Sequence, residues 1–326
     1  MFNINEFKKD DDLKFDRALG AMIGLAIGDS FGDASRTEKN HKRFGITMDF
    51  DEGASWSTDD TEFALLTAHT LIEVQGNLTI ESVKESWQKY VIPQDELYRG
   101  GSSEIEAAVN IKRGINPPES GRFNAYNISD GAAMRVTPIG IVCAGDPEKA
   151  ARMAEVDACI SHWRDGIWGA QAVAAAIAMA MVGASVDEII SAAYKVIPED
   201  SWFKYAFKKA LRIVESSNSI EEAWTPLHTE LWSTYKAAVP EAISQAFALF
   251  KLSEGDFRKG VIYAGNFGRD ADTIGAIVGA LNGALNGAEE IPERWKEKTR
   301  YPTGTCLAFT EGMDVVKISK KLAELI

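Results

Sequence analysis

GAMIGLAIGDSFG (residues 20–32) and GAIVGALNGALNG (residues 275–287) carry glycine at every fourth position. On an α-helix this spacing stacks Gly20, Gly24, Gly28 and Gly32 on one face, and Gly275, Gly279, Gly283 and Gly287 on another. A glycine inside a helix costs about 0.5–1 kcal/mol relative to alanine. Eight of them therefore need a reason, and the physical one is close helix approach, since small residues let backbones come near one another. In a membrane the same spacing would mark a dimer face. Asp29, Ser30, Asn282 and Asn286 interrupt the apolar run and exclude that reading.

Working outward, most of the chain has apolar residues at three- and four-residue spacing, which predicts helices. They span Asp16 to Gly32, Asp60 to Val74, Ile80 to Val91, Ser102 to Arg113, Asp146 to Cys159 and Trp168 to Val182. Further on come Val186 to Val196, Trp202 to Glu215, Glu241 to Phe250, Asp272 to Leu285 and Gly312 to Leu325. The stretch AVAAAIAMAMVGA joins high helix propensity to small side chains, as a buried central helix requires. Ile46 to Phe50 is the best strand candidate, and it is short. Arg36 to Ser57 and Gly114 to Gly131 are rich in turn residues and read as irregular, as binding loops or plain connectors. The prediction is an all-α, single-domain orthogonal helical bundle over residues 16–326, behind a polar segment, residues 1–15.

Composition bounds the function. The 326 residues carry a net charge of -13, which argues against a nucleic-acid surface, because phosphate binding needs clustered Lys and Arg. Three cysteines, Cys143, Cys159 and Cys306, form no CxxC pair and fit a reducing compartment. The start MFNINEFKKDDDLKFD has no apolar core, and the longest apolar run, Gly169 to Ala184, falls short of the roughly 20 residues that span a bilayer. A cytoplasmic protein with no membrane partner is the expectation.

Two acidic clusters point at chemistry: Thr58-Asp59-Asp60 and Asp270-Ala271-Asp272-Thr273, each where a helix begins. Capping would explain one side chain per helix. Each cluster instead offers three oxygen donors, and four carboxylates with two hydroxyls suit hard divalent cations such as Mg2+ or Mn2+. An anionic substrate is compatible with the acidic chain if bound metal supplies positive charge locally.

At these residues the chain resembles the ADP-ribosylglycohydrolase family. The resemblance covers nearly the whole length and rests on GAMIGLAIGDSFGD, WSTDDTEFALL, ISDGAAMRVTPIG, SHWRDGIWGAQAVAAAIA and GNFGRDADTIGAIVGALNGALNG, in that order. It implies an all-α fold with two Mg2+ (or Mn2+) in a cleft, held by Thr58, Asp59, Asp60, Asp270, Asp272 and Thr273. It also implies that Ser129, Asp130, Gly131 and Ala132 form the loop that approaches substrate phosphates. His162 falls where family members often place a histidine near the ligand; the alternative is a helix-start histidine packed under Trp163. Two positions depart from the family pattern. Arg36 stands where many relatives carry a glutamate, and would suit a phosphate or carboxylate on the substrate. A central aspartate that some relatives use is not evident around Tyr98-Arg99-Gly100-Gly101-Ser102.

The reaction implied is hydrolysis of a glycosidic bond at ribose C1″ of an ADP-ribosylated protein or ADP-ribose conjugate. Asp59 or Asp60 is the candidate general base, and carboxylates stabilise the oxocarbenium-like transition state. The alternatives are a hydrolase of a simpler nucleoside or ribosyl metabolite, and a non-catalytic ADP-ribose-binding relative.

Overall fold

The computed structural model describes residues 4–50, 56–94 and 96–326. Six helices frame the site, numbered here in chain order: α1 (Asp11–Ser35), α2 (Asp59–Glu73), α3 (Ser102–Lys112), α4 (Asp165–Met181), α5 (Val239–Ser253) and α6 (Ala271–Asn286). The two glycine stripes meet each other. A Cβ added at Gly20, Gly24 or Gly28 would overlap the carbonyl of Gly283, Gly279 or Gly275 respectively, well inside the 3.0 Å that real Cβ atoms respect. The reciprocal substitutions on α6 collide with the α1 backbone in the same way. The partner numbers fall on one helix as they rise on the other, so α1 and α6 are antiparallel and touch main chain to main chain. Gly32 packs against Ala271, and Gly287 lies at the other end of the contact, its carbonyl carbon under Gly20; it ends α6 at φ 87°, a left-handed conformation that suits glycine. The pairing sets the end of α1 beside the start of α6, which brings Arg36 to Asp272.

The Ala-rich α4 is the central helix. Ala170, Ala172, Ala174, Ala175 and Ala176 are fully buried, and α4 packs on both α5 and α6. Helix α2 lies between two apolar cores. Ala64, Leu65 and Ala68 join the large one, while Phe63 and Leu66 join a smaller one with Trp87, Met134 and Leu307. With both faces packed, the first turn of α2 is held rigidly.

The fold is all-α, as predicted, and no strand forms among the described residues. The expected strand over Ile46 to Phe50 is absent: Ile46 is 69% exposed, and among the described residues no segment pairs with it as a strand. An isolated bridge joins Ser129 to Ala238 instead. The segment Arg36 to Ser57, expected to be irregular, contains a helix, Glu38–Phe44, because Thr37 caps it by accepting from Asn40 N at 3.1 Å. Residues 51–55 lie outside the described residues. Gly114 to Gly131 holds a single short helical turn, Glu119–Arg122. Helices Ile220–Glu230, Phe257–Gly265 and Glu293–Thr299 were not predicted. Within residues 1–15, Phe7 is buried in the large core and α1 already starts at Asp11. Among the described residues no helix is long and apolar enough to cross a membrane.

Candidate active site and metal centre

Three helix N-termini converge on one cavity of about 200 Å³. Helix α2 contributes Asp59 and Asp60, α3 contributes Ser102, Ser103 and Glu104, and the start of α6 contributes Asp270, Asp272 and Thr273. Each N-terminus presents the positive end of a helix dipole, which favours carboxylates there. A fourth wall is the segment Ser129–Gly131, held against Tyr235, Lys236 and Ala237 by Asp130 N donating to Ala237 O at 2.8 Å.

Carboxylate oxygens of Asp59, Asp60 and Asp272 lie within 4.8 Å of one another. Asp60 Oδ1, Asp272 Oδ1 and Asp130 Oδ2 are buried and have no hydrogen-bond partner. Orphaned buried carboxylate oxygens are costly, and three of them on one cavity are what a cation would satisfy. All-oxygen, anionic and rigid, the donor set fits Mg2+ or Mn2+. Burial pushes Asp59, Asp60 and Asp130 well above the ordinary carboxylate range, and repulsion by Asp272, Asp29 and Asp270, respectively, pushes each further. Burial also raises Asp272, against the pull of Arg36. At Asp270 burial is the largest influence and raises the carboxyl, but Lys236, whose Nζ lies 2.8 Å from Oδ1, together with Asp130 and Arg36 brings it below its usual range.

The sequence-predicted residues separate into those on the cavity and those behind it. Asp59, Asp60, Asp270, Asp272, Thr273, Ser129, Asp130, Gly131 and Arg36 line it. Thr58, Ala132 and His162 are fully buried and are not on its lining. Thr58 caps α2 and donates from Oγ to Asp29 Oδ1 at 2.6 Å. The Arg36 guanidinium is bound to Asp272 Oδ2, so a side-chain cation already sits on one expected ligand.

In the sequence Asp29 reads as a break in an apolar helix and as part of the motif GAMIGLAIGDSFGD, with no role of its own. It accepts from Thr58 N at 2.8 Å, Thr61 N at 3.2 Å and both threonine hydroxyls, and so fixes the first turn of α2 from within α1. Burial raises it to about 7 despite those four bonds. Glu104 is fully buried, and its carboxylate lies where a Cβ on Gly101 or Gly131 would be, so those two glycines make room for it. It closes a ring of hydrogen bonds. Arg135 donates to Glu104 Oε1 at 3.1 Å and to Ser161 Oγ at 3.0 Å. Ser161 lies 2.7 Å from His162 Nδ1, and His162 Nε2 lies 2.8 Å from Ser129 Oγ. Ser129 donates to Ser103, and Ser103 to Glu104 Oε2. This donor order gives His162 a proton on Nε2 alone. Burial first, and then Arg135, holds the imidazole far below its usual pKa. His162 thus positions Ser129 from behind. Only the acidic residue three places into a helix hinted at Glu104, and that signal also fits ordinary N-terminal acids.

An all-helical bundle whose buried carboxylates converge at three helix starts defines a candidate metal-binding site. The sequence model of the ADP-ribosylglycohydrolase family matches residues 10–325, and the chain belongs to that family. It is 32% identical over 287 residues to an uncharacterized protein of Archaeoglobus fulgidus, covering 85% of this chain and 89% of that one. It is 24% identical over 298 residues to the ADP-ribosyl-[dinitrogen reductase] glycohydrolase of Rhodospirillum rubrum, covering 87% and 90%. Among solved structures, an ADP-ribosylglycohydrolase-related protein complex superposes with a TM-score of 0.66 at 21% identity, covering 96% of this chain and 98% of that one, which shows the shared fold.

Proposed function

We propose that this chain hydrolyses the glycosidic bond at ribose C1″ of an ADP-ribosylated protein or ADP-ribose conjugate, with Mg2+ or Mn2+ bound at Asp59, Asp60 and Asp272. The observation that carries the reading is the convergence of those three carboxylates, two of them with an orphaned oxygen, on the lining of one cavity. A divalent cation there would supply Lewis-acid polarisation and an anchor for the sugar hydroxyls.

The chain's own groups account for the rest. Breaking the C1″ bond leaves positive charge on the sugar, and the acidic lining of the cavity favours that charge. Water attacks C1″ and gives up a proton, and the departing nitrogen or oxygen takes one. Asp59 is assigned as the base, since it is the more accessible of the pair, 7% against 1%. Arg36, Arg99 and Lys236 line the same cavity and would favour anionic groups on the substrate.

A second reading, a simpler nucleoside or ribosyl metabolite as substrate, is favoured by size. About 200 Å³ is below the usual 300–1,000 Å³ of ligand pockets and suits a ribosyl unit better than a whole ADP-ribose. The test is a panel of ADP-ribosyl-arginine, ADP-ribosyl-serine, O-acetyl-ADP-ribose and plain nucleosides, assayed with Mg2+ and with chelator. Metal-dependent release of ADP-ribose is expected, and Asp59→Asn should lower turnover by about two orders of magnitude or more at equal metal occupancy. Turnover of nucleosides alone would select the second reading.

A further inference from the structure

We infer that the centre holds one divalent cation, with the Arg36 guanidinium standing where a second would otherwise sit. The inference rests on the metal-dependent reading above. Asp270 and Asp272, at the start of α6, both line the cavity, and a second cation would need the oxygen that Asp272 does not turn to the Asp59–Asp60 cluster. Facing α2, Asp272 Oδ1 and Asp60 Oδ1 are buried, unpartnered and close to Asp59. Neither of those two oxygens has a hydrogen-bond partner, so both are open to an ion.

The other oxygen of Asp272 is already occupied. Arg36 sits on Asp272 Oδ2, and Lys236 Nζ is 2.8 Å from Asp270 Oδ1. An arginine cannot shed its proton in a protein, so its positive charge there is permanent. Arg36 is also held in place. It directly follows α1, its backbone N–H donates to Gly32 O at 2.8 Å, and α1 is pinned to α6 through glycine contacts. A divalent ion between Asp270 and Asp272 would face two fixed positive charges in a poorly screened site, and would have to share both carboxylates with them. The guanidinium neutralises the acids on that side and leaves one all-oxygen pocket open.

The test is a count. The wild-type chain, stripped with chelator, is titrated with Mn2+, and bound ion is measured from the free Mn2+ signal in electron paramagnetic resonance. One tight Mn2+ per chain with no spin-coupled pair is expected. Arg36→Glu should replace the blocking cation with a ligand, so that a second Mn2+ binds and a coupled signal emerges. Two coupled Mn2+ in the wild type would overturn this inference and leave the metal-dependent reading standing. No tight Mn2+ would overturn both. A folded Arg36→Glu chain that still binds one would remove Arg36 as the cause. If that variant does not fold, the wild-type count decides alone.

Discussion

At the scale of single residues, His162 shows how a side chain placed by motif near a ligand comes to act through another. It lies behind Ser129, neutral, between two hydroxyls. A histidine whose folded-state pKa is lowered stays neutral while the unfolded chain takes up a proton. Stability is therefore intact above the ordinary value of 6.5 and is lost as pH falls below it. The slope from this one group is at most about 1.4 kcal/mol per pH unit. Denaturant unfolding of wild type and His162→Gln between pH 7.5 and 5 should show a steeper acid loss in the wild type. Parallel curves would mean that His162 charges freely in the folded state. The cavity acids Asp59, Asp60, Asp270 and Asp272 were legible because short runs of acid at helix starts exceed what capping needs. Asp29 and Glu104 were not, since each looks like an ordinary helix residue until distant segments enclose it, and Arg135, quoted only within a motif, had no assigned partner. Glu104 meets Arg135 across 31 positions, and Asp29 meets Thr58 across 29. Residue type reports chemistry, and only the fold reports which types meet.

At the scale of elements, the α1–α6 pair was foreshadowed by its glycines, because a fourfold small-residue stripe has few physical uses. What the sequence could not give was the partner, and the pairing makes the stripes more sensitive than ordinary core positions. The atoms nearest an added Cβ at Gly24 and Gly279 are main-chain carbonyls, which cannot rotate aside as a side chain can. Gly24→Ala and Gly279→Ala should thus each destabilise by about 1–3 kcal/mol, although alanine is the better helix former. Chemical denaturation would check this, and a gain in stability at either position would contradict backbone contact. The long helices were predictable from periodicity, and Val186–Val196 and Trp202–Glu215 agree end to end. The missed ones had weaker signals. Ile220–Glu230 contains Pro226, and Glu293–Thr299 is two turns with buried residues only at Trp295 and Thr299. Ile46 to Phe50 misled because alternation without a partner strand has nothing to pair with.

At the scale of the whole molecule, the two ends of the chain meet at the centre. Asp59 and Asp60 come from the first quarter and Asp272 from the last, and the α1–α6 contact holds them together. A cation held by these acids would tie α2 to α6 across an interface that otherwise concentrates like charge. Asp59, Asp60 and Asp272 are all raised by burial, and each is pushed up further by neighbouring carboxylates. An ion that binds this arrangement and not the unfolded chain stabilises by mass action, about 2.7 kcal/mol at a free concentration one hundred times its Kd. Adding millimolar Mg2+ or Mn2+ to chelator-treated protein should then raise Tm by several degrees. Asp60→Asn should abolish most of that rise, because it removes a carboxylate whose unpartnered oxygen belongs to the three-acid cluster. The charged neighbours that raise Asp60 are carboxylates, so the substitution also relieves repulsion in the metal-free chain; its Tm in chelator should be equal to or above that of the wild type, while its Tm in metal falls below. That crossing separates a ligand from a residue that merely supports the fold, whose loss would lower both curves together. A wild-type Tm indifferent to either ion would remove the metal centre from the site.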